Sequence, residues 1–306
     1  MTVTATERQL LHIAKAAVSG GEVTAESVDW PAIFTLANQQ KLLPILFEAV
    51  RKTPAAKENA ALFAVTKQQV IAQVLHQTMR ASEFADLYQK LRAAGLHPIV
   101  VKGQLCSRLY PQTDHRISAD DDLLIPDGEF FACHEQLLAN GLTTDTPADE
   151  LATADEVSYT KDGSPLYIEL HRHLFDSAED AHDELNHFFT DLKPIEVDGF
   201  LTMPPHEHLL YLILHAYKRF VRSGIVARQF CDIAFGRGRI TGRSTGSACT
   251  TSAPASMRRH LLRRRSAWPE TICALTLTCP PRGTVASMWS RCCTTASAAA
   301  CTAPTT

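Results

Sequence analysis

The sequence predicts an α+β protein: a mixed sheet core flanked by N-terminal and C-terminal helices, followed by a tail that does not read as folded. Three observations carry this. Apolar residues recur at helical spacing up to residue 94 and again from residue 205. Short strand-like runs punctuated by turn residues fill residues 99–203. The texture of the chain then changes at residue 236, where Thr, Ser, Ala, Arg and Cys replace any sustained periodicity.

Residues 5–18 and 31–51 carry helical spacing. In the second, Ile33, Leu36, Ala37, Leu42, Ile45, Leu46 and Val50 fall on one stripe, and Pro44 is expected to divide it. Residues 56–94 form a long helical stretch with at most one break, stopped by Gly95. Ile99–Val101 is a short buried strand ending at Lys102-Gly103, and residues 104–110 form a short helix before Pro111. Asp120–Ile125 suits a strand, and 128–140 an amphipathic helix closed by Asn140-Gly141. Glu156–Thr160 and Leu166–His171 are strands on either side of the Asp162-Gly163 turn. A helix at 179–191, a hairpin at 194–203 through Asp198-Gly199, a strong helix at 205–222 and another at 225–235 complete the folded part. The expected division is a helical N-terminal region at 1–95, a core at 96–203, C-terminal helices at 204–235 and an aberrant or disordered tail at 236–306.

Of 306 residues, 45% are hydrophobic and 21% charged, which excludes bulk disorder. No apolar run approaches the roughly 18 residues of a membrane span. The N-terminus lacks the apolar segment of a secretory signal, so the cytoplasm is the expected location. An odd number of cysteines without such a signal argues against a disulfide framework. The net charge of −3 conceals a split, because residues 237–306 hold ten arginines, no lysine and one acid, Glu270, with six of the nine cysteines. A nucleic-acid arm would mix Lys with Arg, and a metal-binding tail needs a repeated short Cys spacing that is absent. The tail reads instead as the product of a shifted reading frame: taken from the third base of each codon, Ile240–Ser252 permits an amphipathic helix. The acidic remainder gives no support for a large nucleic-acid surface.

Chemistry concentrates between residues 100 and 171. Residues two apart on a strand face the same way, so Asp120 and Asp122 project together at a separation suited to hard cations. Mg²⁺ (or Mn²⁺) takes carboxylate oxygens together with substrate phosphates. Glu169, on a neighbouring strand, would complete the ligand set, and two such metals activate an attacking oxygen and stabilise leaving pyrophosphate. Gly103, between a strand and a helix start, lets a triphosphate approach backbone N–H groups, and Lys102 and Arg116 offer positive charge to it. An isolated Asp-Asp-Asp run is more often a solvated turn; Leu123-Leu124-Ile125 and the upstream Lys102-Gly103 favour the metal site. His171 and His173 form an H-x-H pair without a third zinc ligand, which leaves His171 to orient Glu169 or touch substrate. His206 and His208 are expected to cap a helix start or lie at the surface. Gly236, Gly238 and Gly242 do not make a dinucleotide loop, and there is no phosphate-binding loop of the G-x-x-x-x-G-K type.

These segments resemble the polymerase-beta-like nucleotidyltransferase superfamily: strand, glycine turn, helix, a strand with two alternating acids, and a later third carboxylate. They resemble more closely the bacterial uncharacterised nucleotidyltransferase family, with its pattern L-K-G, Y-P, R-x-x-x-D-h-D-L-L-V and h-E-L-H. The matching residues are Lys102-Gly103, Tyr110-Pro111, Arg116, Asp120, Asp122-Leu123-Leu124-Ile125 and Glu169-Leu170-His171. Trp30, Leu36-Ala37, Leu43-Pro44, Leu209, Leu212, Ala216 and Asp232-Ile233-Ala234 extend the likeness over about residues 25–235. The residue between the paired acids is normally apolar in that family and is Asp121 here, on the side of the strand where an unpaired carboxylate is costly.

The resemblance implies a nucleotidyltransferase fold and Mg²⁺-dependent transfer of a nucleoside monophosphate from a triphosphate, ATP being the expected one, to an acceptor hydroxyl. The acceptor would be a small molecule, a protein side chain or an RNA end, with no membrane partner. It implies Asp120, Asp122 and Glu169 as metal-holding and catalytic residues, Lys102, Gly103 and Arg116 as nucleotide-binding residues, and His171 behind them or at the substrate. The alternative is a non-catalytic module that binds nucleotide or a partner through a degenerate site. A His/Asp metallohydrolase is a weaker third reading.

Overall fold

The computed structural model describes residues 4–23, 27–177, 182–224 and 226–240. In chain order its elements are α1 (Ala5–Ser19), α2 (Trp30–Gln39), α3 (Leu43–Val50), α4 (Pro54–Glu58), α5 (Ala60–Ala93), β1 (Ile99–Val100), α6 (Gln104–Ser107), β2 (Asp121–Leu124), α7 (Phe130–Ala139), β3 (Glu156–Thr160), β4 (Tyr167–His171), α8 (His182–His187), β5 (Ile195–Val197), β6 (Phe200–Thr202), α9 (Pro205–Ser223) and α10 (Ala227–Ile240). The chain is thus α+β, with a mixed sheet between helical segments. Pro44 does divide the second helical stretch, and it does so by opening α3, in the first turn where its missing N–H costs nothing. The long stretch breaks once, at Asn59.

The last helix runs on to Ile240, beyond the expected limit at residue 235. Gly236 and Gly238 lie inside its turns, where each costs only about 1 kcal/mol against alanine. A change of composition is not by itself a helix stop. Residues 241–306, and the out-of-frame reading attached to them, lie outside the described residues. The nucleotide sequence across the codons for residues 235–240 tests that reading.

The described residues divide into two compact units: those up to Lys67 with those from His215 on, and Gln68–Leu214. In the first unit, α1 starts on a capping box, with the Thr4 hydroxyl accepting from the Glu7 N–H and the Glu7 carboxylate accepting from the Thr4 N–H. Helices α1, α2 and α3 pack on one another. Trp30, Phe34, Phe47 and Phe63 form an aromatic cluster, with Phe34 and Phe63 edge-on at 5.1 Å between centroids. The Ala227 N–H donates to Gln40 Oε1 (2.8 Å), tying the start of α10 to the N-terminal part of the same unit.

The second unit holds a six-stranded sheet in the order β3-β4-β2-β1-β6-β5. Strands β2 and β4 are parallel, as are β1 and β6, and the remaining neighbours are antiparallel. One face carries Leu123, Ile168, Leu170, Val157 and Tyr159 into a core completed by Phe84, Tyr88 and Leu91 of α5 and Phe130 and Leu137 of α7. Tyr88 donates its hydroxyl to the Pro98 carbonyl (2.9 Å) and accepts from the Leu201 N–H (2.8 Å), pinning α5 across β1 and β6. The apolar face fixes the register, because slipping β2 by one residue would turn Asp122 into the apolar core and Leu123 out of it.

Candidate active site

The register brings the acids together. Asp122 on β2 lies directly opposite Glu169 on β4, and Leu124 opposite His171. Asp122, Glu169 and His171 therefore share the face of the sheet away from the apolar core. Asp120 precedes β2 by one residue. Lys102, just past β1, reaches across both aspartates, with Nζ 2.8 Å from Asp120 Oδ2 and 2.8 Å from Asp122 Oδ1. Lys102 is buried, which works against its charge, but Asp122, Asp120 and Glu169 outweigh that and hold its ammonium above the ordinary lysine range. The two carboxylates thus converge on one point, and a cation already fills it.

Asp121 points to the other face and is fully buried. It is not alone there. Arg80 of α5, itself 1% exposed, donates from both Nε (2.9 Å) and Nη2 (2.7 Å) to Asp121 Oδ2. The other oxygen, Oδ1, accepts from the Gln104 N–H at the start of α6 (3.0 Å). One side chain thereby joins α5, β2 and the glycine turn. Burial still pushes the Asp121 carboxyl up, to about 6, against the pull of Arg80. One turn earlier on α5, Gln77 donates to the Ser118 carbonyl (3.0 Å) and accepts from its N–H (3.1 Å). Ser118 Oγ in turn donates to the Asp120 carbonyl (3.0 Å), so α5 sets the path of the chain into β2.

Gly103 has φ 62° and ψ −114°, backbone that L side chains rarely adopt. A Cβ at this position would lie 2.0 Å from Asp121 Oδ1 and 2.9 Å from its Cα. The glycine is therefore required by the carboxylate packed over it. Gly103→Ala is expected to cost at least about 1–3 kcal/mol from the backbone alone, with more from the displaced Asp121, measured by denaturant unfolding. Arg116 is buried behind the turn, its Nη1 donating to the Gly103 carbonyl (3.1 Å) and to Ser118 Oγ (3.2 Å). Its charge lies behind the glycine turn, and its fork holds that turn in place.

Asp122, Glu169 and His171 form a group of potential metal ligands among the described residues, one ligand atom from each lying within 4.8 Å of the others. Burial first, and then the charges of Asp122, Asp120 and Glu156 against that of Lys102, push the Glu169 carboxyl up to about 8. An unfolded glutamate titrates near 4.3. The folded state binds this proton more tightly, so its contribution to stability is full below the ordinary range and is lost as pH rises to about 8. The metal-free protein is expected to lose stability over that window, and Glu169→Gln to flatten the slope in denaturant melts at stepped pH. Tyr211, at the start of α9, is buried beside these acids; burial and then the charge of Asp122 hold its phenol well above the ordinary range, so it stays protonated.

The structure brings together Asp120, Asp122, Lys102, Glu169 and His171, and sets Gly103 and Arg116 next to them. His173 does not join: its Nδ1 lies 2.7 Å from Asp155 Oδ1 at an exposed position. His208 is neither a cap nor a surface residue as expected. It is buried, with Nε2 3.0 Å from the Val101 carbonyl oxygen and 3.9 Å from Cys106 Sγ, because α9 lays its first turn against the end of β1. Arg80, Gln77 and Glu156 carry supporting roles not read from the sequence. For the first two a signal exists, since Gln77 and Arg80 open the same helical stripe as Phe84, Leu87, Tyr88 and Leu91.

Over residues 26–235 the chain matches the family described as uncharacterised nucleotidyltransferase, and it belongs to that family. It is thereby placed among enzymes that transfer nucleotidyl groups. No curated protein matches it. Among solved structures it is similar to the crystal structure of the Megavirus polyadenylate synthase, at 12% identity and a TM-score of 0.37, over 71% of this chain and 43% of that one. The chain thus spans less than half of that protein's length, and a likeness at this score carries no weight. No helix among the described residues is long and apolar enough to cross a membrane.

Proposed function

We propose that this nucleotidyltransferase moves a nucleoside monophosphate from a nucleoside triphosphate, ATP being the first choice, to an acceptor hydroxyl in a reaction dependent on Mg²⁺ or Mn²⁺. The observation that supports it best is the convergence of Asp120 and Asp122 on one point, held by the Lys102 ammonium, with Glu169 opposite Asp122 in register. These carboxylates would hold the divalent cations, which supply charge neutralisation for the triphosphate and activation of the attacking oxygen. Lys102 and the Gly103 turn would meet the triphosphate from the side away from Asp121, whose carboxylate fills the space a Gly103 side chain would take, and Arg116 would add positive charge from behind.

In the reaction the acceptor oxygen bonds to the α-phosphorus, the α–β phosphoanhydride bond breaks and pyrophosphate leaves. Glu169, opposite Asp122 in register, is the carboxylate placed to take the acceptor's proton. Positioning and charge stabilisation supply most of the rate. The acceptor class is a small molecule, a protein side chain or an RNA end. Reading the site as degenerate rests on Asp121 and the abnormal tail, and the Arg80 ion pair accounts for the first of these without decay.

The test is incubation of the chain with α-phosphate-labelled ATP, CTP, GTP or UTP, Mg²⁺ or Mn²⁺, and cell extract. Transfer of label that is lost in the Asp120→Asn, Asp122→Asn double variant is expected. Nucleotide binding without turnover, unchanged in that variant, would establish the non-catalytic module instead.

A further inference from the structure

We propose that His171 is itself a metal ligand, oriented by Glu156, and that it gives the site a preference for a first-row transition-metal dication over Mg²⁺. The inference rests on the reading that Asp122 and Glu169 hold a cation. What it adds is a nitrogen ligand and a metal preference.

His171 is 4% exposed, and its Nε2 makes no hydrogen bond. A buried ring nitrogen in that state calls for an explanation. This one is aimed at the acids, 3.5 Å from Asp122 Oδ1 and 4.0 Å from Glu169 Oε2. Two ligands of one ion, each about 2.0–2.2 Å from it, lie up to roughly 4.4 Å apart, so both separations suit a shared cation. They are too long for direct hydrogen bonds.

The other face of the ring repeats a recurrent arrangement. Nδ1 lies 3.6 Å from Glu156 Oε2, and Glu156 on β3 is the register partner of His171 on β4. Histidines that bind metal usually give their second ring N–H to a carboxylate or carbonyl, which fixes the tautomer and leaves the first nitrogen's lone pair on the metal. Glu156 Oε2, at 3.6 Å, lies just beyond hydrogen-bond distance of Nδ1 and needs a small shift to accept that proton, while Nε2 already faces Asp122 and Glu169. His173, two residues on, is exposed and occupied with Asp155, so among the described residues His171 is the histidine grouped with these acids.

The metal preference follows from the donor set. Mg²⁺ demands oxygen ligands and keeps its waters, whereas an imidazole nitrogen beside two carboxylates suits the first-row transition metals. Lys102, bound to Asp122 Oδ1, and Asp120 are the other charged groups at this face. They act alike on any dication and do not discriminate.

The test uses the metal-stripped full chain without nucleotide. Mn²⁺ is titrated and followed by the electron paramagnetic resonance of free Mn²⁺, and the bound ion is then examined by pulsed resonance for coupling to ¹⁴N. Wild type is expected to bind Mn²⁺ with imidazole nitrogen coupling. In His171→Gln the coupling disappears and Mn²⁺ affinity falls roughly 10–100-fold, while Mg²⁺ affinity, read by competition, changes much less. Glu156→Gln is expected to keep the coupling and lose roughly tenfold in Mn²⁺ affinity. Bound Mn²⁺ without nitrogen coupling, or coupling that persists in His171→Gln, overturns the inference and leaves the carboxylate site standing. Failure of the wild type to bind Mn²⁺ at all overturns both. The wild-type spectrum decides even if a variant does not fold.

Discussion

Arg80→Met is expected to lower the unfolding free energy by about 3–5 kcal/mol, because it strands a fully buried carboxylate without its partner. The substitution keeps much of the side chain's bulk, so the loss reports the charge rather than a cavity. Asp121→Asn in the same background should restore part of it. The amide carries no charge, and its oxygen can still accept from the Gln104 N–H that Asp121 Oδ1 serves. A double-mutant cycle is expected to give a coupling of about 1–3 kcal/mol, measured by denaturant unfolding. Additive losses would mean that the pair is not coupled and that Asp121 is tolerated for another reason. The consequence extends to the site, since Asp121 is flanked by the two acids that meet Lys102 and packs over Gly103. The variant should lose nucleotidyl transfer at temperatures where it remains largely folded.

Asp122→Asn is expected to reduce transfer of label by about 10²–10³-fold, the magnitude typical of removing one group that stabilises transition-state charge. Asp122 contacts Lys102, sits opposite Glu169 and lies 3.5 Å from His171, which puts it at the centre of the ligand set. Asp120, more exposed and just outside the strand, should cost less on its own. The two together should abolish the signal, because their effects converge on one ligand set and will not add independently. Far-ultraviolet circular dichroism of each variant separates lost chemistry from lost fold.

The site's outline was legible because it is local. Alternation puts Asp120 and Asp122 on one face, and the same alternation puts Glu169 and His171 on one face of β4. Apolar periodicity marked α9, and the glycine after β1 marked a turn, although what fills the space beside it, the Asp121 carboxylate, was not legible. What could not be read was contact across the chain. Arg80 and Asp121 are 41 residues apart, and nothing near Asp121 announces its partner. The Lys102 bridge depends on β1 and β2 being antiparallel neighbours, which strand identity alone does not settle. Glu156 reads as an ordinary surface strand residue until β3 pairs with β4 and sets it opposite His171. His208 looked like a cap because it lies near a helix start, and its burial follows from where α9 lands. The end of α10 was misjudged because composition changes at residue 236 while helical hydrogen bonding does not.

The most direct measurement is anomalous diffraction from crystals of the chain grown with Mn²⁺ and a non-hydrolysable ATP analogue. Mn²⁺ peaks are expected at coordination distance from carboxylate oxygens of Asp120, Asp122 and Glu169, with the triphosphate against the Gly103 turn. Mn²⁺ and triphosphate bound elsewhere, with Lys102 still bridging the two aspartates, would contradict that expectation.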